Sequence, residues 1–250
     1  MRSEWDRIAR ENAWYGIASW DEFADASRLD EERFWRSGAV LADNLLDHLG
    51  LADPSALVAV EIGCGNGRVT HRLAERCREV WALDISPEMI SRGRRRWAGL
   101  ANVHWTVNGG ADLEPVPGSS VDVVLSFIVL HHVIDPGVVL GYVRDTARVL
   151  RPGGLALLHV HTVEEAWVRR LARRVRPPPA MDLWWDRGFA PRPAATPVPP
   201  PSAIVASRVW TGGRVAMGEL QRTARAAGLV IERVENGGTF WTFLTLRRPH

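Results

Sequence analysis

The 250-residue chain contains no lysine, so all 31 of its basic residues are arginines. This absence excludes a Schiff-base lysine and a lysine general base from its chemistry. Its two cysteines, Cys64 and Cys77, match no metal-ligand spacing and indicate no disulfide framework. No run of about 18 uncharged apolar residues occurs, so the sequence predicts no membrane-spanning helix.

The start of the chain also lacks the apolar stretch of a secretory signal, and we expect a cytoplasmic protein that does not act at a membrane. The formal net charge is only +2, which is too small to indicate a polyanionic partner such as nucleic acid. With 46% apolar and 24% charged residues, the chain is long enough for one large domain with a substantial core. Composition leaves the oligomeric state open between monomer and homodimer.

The most informative stretch is an apolar run followed by three glycines at alternate positions. Leu57–Ile62 is typical of a buried parallel strand, and it contains one acidic residue, Glu61. An amphipathic helix is predicted to follow over Arg68–Cys77, which completes a strand, a tight turn and a helix. The glycines of the turn, which let the backbone approach a ligand closely, are Gly63, Gly65 and Gly67.

A second predicted strand, Val80–Leu83, leads into Asp84. A carboxylate at this position of a nucleotide-binding βαβ unit accepts hydrogen bonds from ribose hydroxyls. The glycine spacing disfavours a dinucleotide such as NAD, because Arg68 stands where that fingerprint needs its third small residue. The pattern Glu61-x-Gly-x-Gly-x-Gly instead resembles the first motif of class I S-adenosylmethionine-dependent methyltransferases.

Three more stretches resemble this family, in its order and at its distances. They are the second-strand ending and helix at 84–90, the fourth strand and loop at 121–132, and the turn at 150–154. The resemblance covers about residues 57–162 and indicates the small-molecule branch that contains the ubiquinone and menaquinone methyltransferases. It implies an α/β fold with a Rossmann-like, doubly wound sheet of about seven strands, mostly parallel with an antiparallel last strand, and helices on both faces.

The chain divides into four predicted segments. Residues 1–50 are expected to form an N-terminal helical cap, and residues 51–165 the S-adenosylmethionine-binding core. Residues 166–210 are an insertion rich in proline, which is typical of a disordered spacer or of a substrate lid. The lid alternative rests on large aromatic residues and would make Trp184, Trp185 and Phe189 substrate-binding. Residues 211–250 are predicted to add a helix and two strands that complete the sheet.

The resemblance implies S-adenosylmethionine as the cofactor and a set of residues around it. Glu61 would orient the methionine amino group, Asp84 would bind the ribose, and Ile85 would lie against the adenine. In the family, an acidic residue after the third strand binds the adenine amino group, but here a glycine stands in its place. Asp112 or backbone groups would make this contact instead. The other members of the implied donor site are Gly63, Cys64, Gly65, Gly67, Met89, Gly110, Ala111, Asp112, Ser126 and Phe127.

Three histidines are candidates for a catalytic base. His131 and His132 follow the fourth strand, beside the donor methyl group by resemblance, and His161 lies near the carboxyl end of the fifth strand. Imidazole accepts a proton near neutral pH, so one of them would serve a hydroxyl acceptor, with His131 favoured. The alternative is that these histidines only shape the pocket. Tyr15 is expected either to close over the donor as a substrate-binding residue or to pack within the helical cap.

We therefore expect a methyltransferase that acts on a small-molecule acceptor, by O-methylation before N- or C-methylation, with specialised metabolism as one setting. No metal is expected. The alternatives are an RNA- or protein-modifying methyltransferase and a donor-binding protein without catalysis. Nucleic-acid modification would need the arginine clusters at 92–96 and 169–176 to form one basic face with the pocket; otherwise they are solvated helix faces.

Overall fold

The computed structural model describes residues 1–18, 30–164 and 212–250. The predicted insertion at 166–210, with Trp184, Trp185 and Phe189, and the arginine cluster at 169–176 lie outside these residues. In chain order the strands are β1 (Val58–Ile62), β2 (Glu79–Asp84), β3 (Val103–Val107), β4 (Val121–Ser126), β5 (Leu150–Val160), β6 (Thr162–Val163), β7 (Val215–Ala216), β8 (Val230–Glu235) and β9 (Thr242–Arg247). The helices are α1 (Arg2–Ile17), α2 (Glu31–His48), α3 (Thr70–Arg76), α4 (Pro87–Arg96), α5 (Pro136–Val149) and α6 (Met217–Ala226), with a short 3-10 helix at Leu130–His132.

A seven-stranded sheet has the order β3-β2-β1-β4-β5-β9-β8. The neighbours from β3 to β5 are parallel, whereas β9 is antiparallel to both β5 and β8. The strand order reverses between β1 and β4, and in open α/β sheets ligands bind beyond the carboxyl ends of the strands at such a point. This sheet and the helices around it confirm the predicted Rossmann-like fold with an antiparallel last strand.

Alternate residues of the central strands bury their side chains on opposite faces of the sheet. Val60 of β1 belongs to a cluster with Val143 of α5 and Leu220 of α6. Its neighbour Ala59 belongs to a second cluster with Leu45 of α2 and Leu73 of α3. Both faces of β1 are therefore covered by helices, as its uninterrupted apolar sequence predicts. No helix in the described part of the chain is long and apolar enough to cross a bilayer.

Two helices begin at capping residues whose side chains accept hydrogen bonds from the first turn. The Ser86 hydroxyl accepts a hydrogen bond from the backbone N–H of Met89 at the start of α4, and Pro87 is the first helical residue. Asp135 accepts from the backbone N–H of Gly137 at the start of α5 in the same way. These caps fix the directions in which the chain leaves β2 and β4, which are the strands beside the site.

Strand β5 contains the motif at 150–154, for which the sequence predicts a turn. It begins at Leu150, which pairs with Val121 of β4, and regular pairing resumes between Leu155 and Val123. The residues between them form a bulge opposite Asp122, whose carboxylate accepts two hydrogen bonds of 2.9 Å from Nη1 of Arg151. The motif at 150–154 is therefore a bulge within the strand rather than a turn before it.

Candidate active site

A cavity opens at the carboxyl ends of β1, β2 and β4, below helix α1. Most of the predicted donor residues line it, and the four that do not are Gly67, Ala111, Asp112 and Ser126. Helix α1 contributes Met1, Trp5, Gly16 and Ile17 to the lining, whereas the buried Tyr15 is not part of it. The predicted donor residues that line the cavity are Glu61, Gly63, Cys64, Gly65, Asp84, Ile85, Met89, Gly110 and Phe127.

Two of the three glycines in the loop after β1 leave space for a side chain from another part of the protein. Gly63 has a φ of +74°, and a Cβ atom there would lie 2.3 Å from Cγ2 of Val129. A Cβ atom at Gly67 would instead lie 2.6 Å from Cη2 of Trp105, on the side away from the cavity. Gly63 therefore allows the loop after β4 to approach, and Gly67 allows an aromatic ring to pack behind the loop.

Asp84 ends β2 and connects the glycine loop to helix α4. Its Oδ2 atom accepts a hydrogen bond of 2.9 Å from the backbone N–H of Gly65, and its Oδ1 atom accepts one of 2.8 Å from Ser86. Burial raises the pKa of this carboxyl, while the backbone N–H groups lower it. Two rigid donors thus fix the orientation of a half-buried carboxylate that lines the cavity.

Glu61 and Arg68 also line the cavity and bring opposite charges to it. Glu61 Oε2 accepts a hydrogen bond of 2.6 Å from the Thr70 hydroxyl, and burial raises the pKa of its carboxyl to about 7. The buried Arg68 donates from Nη1 to the Ser37 hydroxyl at 3.0 Å, and its Nε atom has no partner among the described residues. Burial lowers the pKa of this guanidinium to about 10. In the sequence, Arg68 indicated only that a dinucleotide is disfavoured, and no signal showed that its side chain lines the cavity.

Asn108 occupies the position directly after β3, and it also lines the cavity. Its Nδ2 atom donates to the carbonyl of Asp112 at 2.9 Å and to the hydroxyl of Tyr142 at 3.1 Å. Both amide hydrogens are used, so the buried Oδ1 atom is fixed as an acceptor, and it has no partner among the described residues. The predicted Asp112 instead accepts a hydrogen bond of 3.1 Å from the backbone N–H of Glu114.

The candidate catalytic histidines have different surroundings. His132 lines the cavity, and its ring lies edge-on to Trp5 with 5.3 Å between the ring centroids. His131 is buried outside the lining, and desolvation together with neighbouring imidazoles shifts its pKa far below the ordinary value. His161 is also outside the lining, with its ring 5.1 Å from that of Phe240, and burial lowers its pKa. Among the described residues, no group of histidine, cysteine and acidic side chains has the arrangement of a metal site.

Helix α1 is attached to the core beside the cavity by polar contacts that the sequence did not reveal. Asp6 accepts hydrogen bonds from the Ser86 hydroxyl at 2.6 Å and from the backbone N–H of Glu88 at 3.0 Å. These bonds lower the pKa of the Asp6 carboxyl, the Ser86 bond contributing most. Arg2 donates from Nη2 to the backbone carbonyl of Asn108 at 2.9 Å. The first turns of α1 are thereby held over the ends of β2 and β3.

Comparison with known proteins matches the central part of this chain to methyltransferases. Residues 59–154 match a family model described as a methyltransferase domain. A demethylmenaquinone methyltransferase of Tropheryma whipplei is 36% identical over 95 residues, which are 38% of each chain. A ubiquinone biosynthesis O-methyltransferase of Xanthomonas campestris is 32% identical over 109 residues, which are 43% of this chain and 44% of that one. The match thus spans less than half the length of these two relatives.

Solved structures agree on the fold. A magnesium protoporphyrin IX methyltransferase from Synechocystis, determined with bound S-adenosylhomocysteine (SAH), superposes with a TM-score of 0.59 at 16% identity. The superposition covers 99% of this chain and 97% of that one. At this level of identity the likeness establishes the fold, and it extends over both the glycine loop and the C-terminal strand pair.

Proposed function

We propose that this chain, which contains a class I S-adenosylmethionine-dependent methyltransferase domain as its motifs predicted, transfers a methyl group to the hydroxyl of a small molecule. The observation that supports this most is a cavity lined by Asp84, Glu61 and Arg68 together with glycines of the loop after β1. An acidic group for ribose hydroxyls and a pair of opposite charges suit a ligand with a nucleoside at one end and an amino acid at the other. The name of the Xanthomonas relative favours a hydroxyl acceptor.

The experiment that tests this function is incubation of the protein with donor labelled in its methyl group. Fractionated small-molecule extracts, RNA and total protein are offered as separate acceptors, and Asp84→Ala serves as the matched control. We expect label in a small-molecule fraction with the wild-type protein and little with the variant. Label in RNA or protein would favour the modifying-enzyme alternative. Tight donor binding without transfer to any fraction would favour a binding protein.

The amino-acid end of the donor fits between Glu61 and Arg68. The methionine ammonium group is a partner for the Glu61 carboxylate, whose Oε2 atom already accepts from Thr70. The methionine carboxylate is a partner for the unpaired Nε atom of Arg68. Since both side chains are buried, each charge compensates a group that would otherwise be costly to desolvate.

Donor binding should release a proton from Glu61. Because the pKa of this carboxyl is raised to about 7, part of it is protonated at about pH 6.5, and a neighbouring ammonium group lowers the pKa again. Calorimetric titration with SAH in buffers of different ionisation enthalpy measures the protons released. We expect Glu61→Gln to remove most of this release and to weaken binding. Full release in that variant would assign the proton to another group, such as Asp84.

We propose that Asn108 accepts a hydrogen bond from the adenine amino group. Asn108 lines the cavity with Gly110 and Ile85, and its buried Oδ1 atom, which has no partner among the described residues, is an acceptor of the kind that an exocyclic amine needs. Asp112 is outside the lining, and its carboxylate accepts a local backbone hydrogen bond. The amide of Asn108 thus supplies the hydrogen bond that the missing family acid would have made.

The adenine assignment predicts how affinity responds to a ligand without the amino group. Wild-type protein should bind SAH more tightly than S-inosylhomocysteine, in which a carbonyl replaces the amine. Asn108→Ala should reduce this preference by about 2- to 10-fold, the effect of one hydrogen bond between neutral groups. Two controls separate local packing from the contact itself: Tyr142→Phe removes one Nδ2 partner but keeps Oδ1, and Asp112→Asn should leave the preference unchanged. A loss of preference in Asp112→Asn alone would return the role to Asp112.

We propose that His132 is the base that takes the proton from the hydroxyl of the methyl acceptor. Methyl transfer from a sulfonium is an in-line displacement, so the protein must hold the acceptor in line with the methyl group and exclude water. His132 lines the cavity beside Trp5, whereas His131 is buried behind it. We also propose that residues 1–50 act as a cap, since Asp6 and Arg2 hold α1 over the cavity.

The arginine residues of α4 give little support to a nucleic-acid substrate. Arg92 forms an ion pair of 2.7 Å with Glu88, and Arg94 donates to the carbonyl of Trp105 at 2.8 Å. The guanidinium of Arg96 lies 5.4 Å from the ring of Trp35. These groups have partners within the protein, which favours a structural role for this cluster over contacts with phosphates.

A further inference from the structure

Ile128 has a backbone conformation that a β-branched residue rarely adopts. It is the second residue after β4 and has a φ of +55°, in the left-handed region. Its neighbours Phe127 and Val129 line the cavity together with it. Strain of this kind persists only where surrounding groups hold the residue in place, and it concentrates at functional sites.

The group that holds Ile128 is the side chain of His159 on β5. The backbone N–H of Ile128 donates to Nδ1 of His159 at 3.1 Å, and Nε2 of the same ring lies 3.2 Å from the carbonyl oxygen of Phe240. An Nδ1 atom that accepts leaves the proton on Nε2, so Phe240 receives the second hydrogen bond and the tautomer is determined.

The surroundings keep His159 neutral and immobile. Its side chain is fully buried, and its ring is stacked on Trp241 at 5.2 Å and on Phe243 at 4.7 Å between centroids. Burial lowers the pKa of the imidazole to about 3, with His132 and His161 adding a smaller effect of the same sign. Nδ1 therefore remains an acceptor throughout the physiological pH range.

The conformation of Ile128 affects both sides of the cavity. Val129 follows it and packs against the glycine loop, where a Cβ atom at Gly63 would lie 2.3 Å from Cγ2 of Val129. The 3-10 helix with His132 begins one residue later, at Leu130. A change in the Ile128 backbone would thus move the donor loop contact and the proposed base together.

We propose that His159 is a positioning residue, whose Nδ1 atom holds Ile128 in the left-handed conformation that aligns His132 with the donor loop. The inference rests on the proposed methyl transfer, but His159 itself does not line the cavity or contact the reacting groups. Its effect on the reaction is exerted through the backbone of Ile128.

The test compares variants that differ in whether they keep an acceptor at the Nδ1 position. His159→Leu removes the acceptor, and we expect the rate of methyl transfer to fall about 10- to 100-fold, as misplacement by about 1 Å does. His159→Asn retains an oxygen acceptor and should keep most of the rate. Thermal unfolding and SAH titration of each variant establish that it is folded and binds the donor.

Rescue through Ile128 distinguishes positioning from a general structural role. Asparagine tolerates the left-handed region, so Ile128→Asn should restore most of the lost rate in the His159→Leu background. Ile128→Val keeps the β-branch and should restore none. Equal rates in wild type and His159→Leu, or no recovery with Ile128→Asn, would overturn the inference while SAH binding still supports the donor site. Absence of SAH binding to the wild type would instead refute the proposed function.

A spectroscopic readout covers the case in which His159→Leu does not fold. Long-range ¹H–¹⁵N spectra of the wild-type protein should show His159 protonated on Nε2 and unprotonated on Nδ1, with no titration between about pH 5 and 8. An Nδ1-protonated ring, or one that titrates in this range, could not accept the Ile128 hydrogen bond and would overturn the inference.

Discussion

Replacing His132 by alanine should lower kcat about 10²- to 10⁴-fold, because the variant loses the base that takes the proton from the substrate hydroxyl. The affinity for SAH should be unchanged. The wild-type rate should fall on the acidic side of its pH profile, since only a neutral imidazole is a base. Protonation of the ring occupies the electron pair that would accept the proton of the hydroxyl. Initial rates across pH, with saturating donor and acceptor, measure both effects.

The other histidines provide matched controls for this prediction. His131→Ala and His161→Ala change residues outside the cavity lining, so the acidic limb of the pH profile should remain in both variants. Loss of that limb in His131→Ala, with the limb retained in His132→Ala, would identify His131 as the base. A flat profile in the wild type, with chemistry shown to be rate-limiting, would indicate an amine or carbon acceptor that is already nucleophilic.

Replacing Asp84 by alanine should weaken SAH binding by about 1.5–3 kcal/mol, which is about 10- to 150-fold, the range for hydrogen bonds to a charged group. The carboxylate also accepts from Gly65 and Ser86, so part of the loss would come from a displaced glycine loop. A 2′,3′-dideoxy analogue of SAH separates the two contributions. If Asp84 binds the ribose, the variant should lose much less affinity for this analogue than for SAH; equal losses would contradict the ribose assignment.

The sequence predicted the parts of this protein that depend on local chemistry. The apolar run before Gly63 and the carboxylate at the end of β2 are each determined by a few neighbouring positions. The antiparallel last strand followed from the family resemblance, whereas its place between β5 and β8 was not predicted, because propensity alone does not determine strand order. These elements bring most of the implied donor residues to one cavity.

Features that depend on contacts between distant residues were not predictable in this way. The orientation of the Asn108 amide depends on Tyr142, 34 residues away, which accepts a hydrogen bond from Nδ2. Arg68 lines the cavity with its guanidinium bound to Ser37 of α2. A signal for Asn108 was nevertheless present, because it directly follows β3 at the edge of the sheet where Asp84 ends β2, and ligands bind beyond the carboxyl ends of such strands.

The sequence also does not show which of His131 and His132 faces the cavity. The two residues are adjacent in a 3-10 helix, so their side chains point in different directions, and the sequence contains no periodic pattern there to show which faces the cavity. The contact between Trp5 and His132 settles their orientation through helix α1, which lies far from them in the sequence.

Calorimetric titration with SAH tests the central claim most directly. The wild-type protein and the Asp84→Ala variant are compared, and NAD serves as the control ligand. Our account predicts saturable binding of one SAH per chain, no binding of NAD, and a loss of about 10- to 150-fold in the variant. No detectable binding of SAH or S-adenosylmethionine, or equal affinity for NAD, would contradict the assignment of this cavity to a methyl donor.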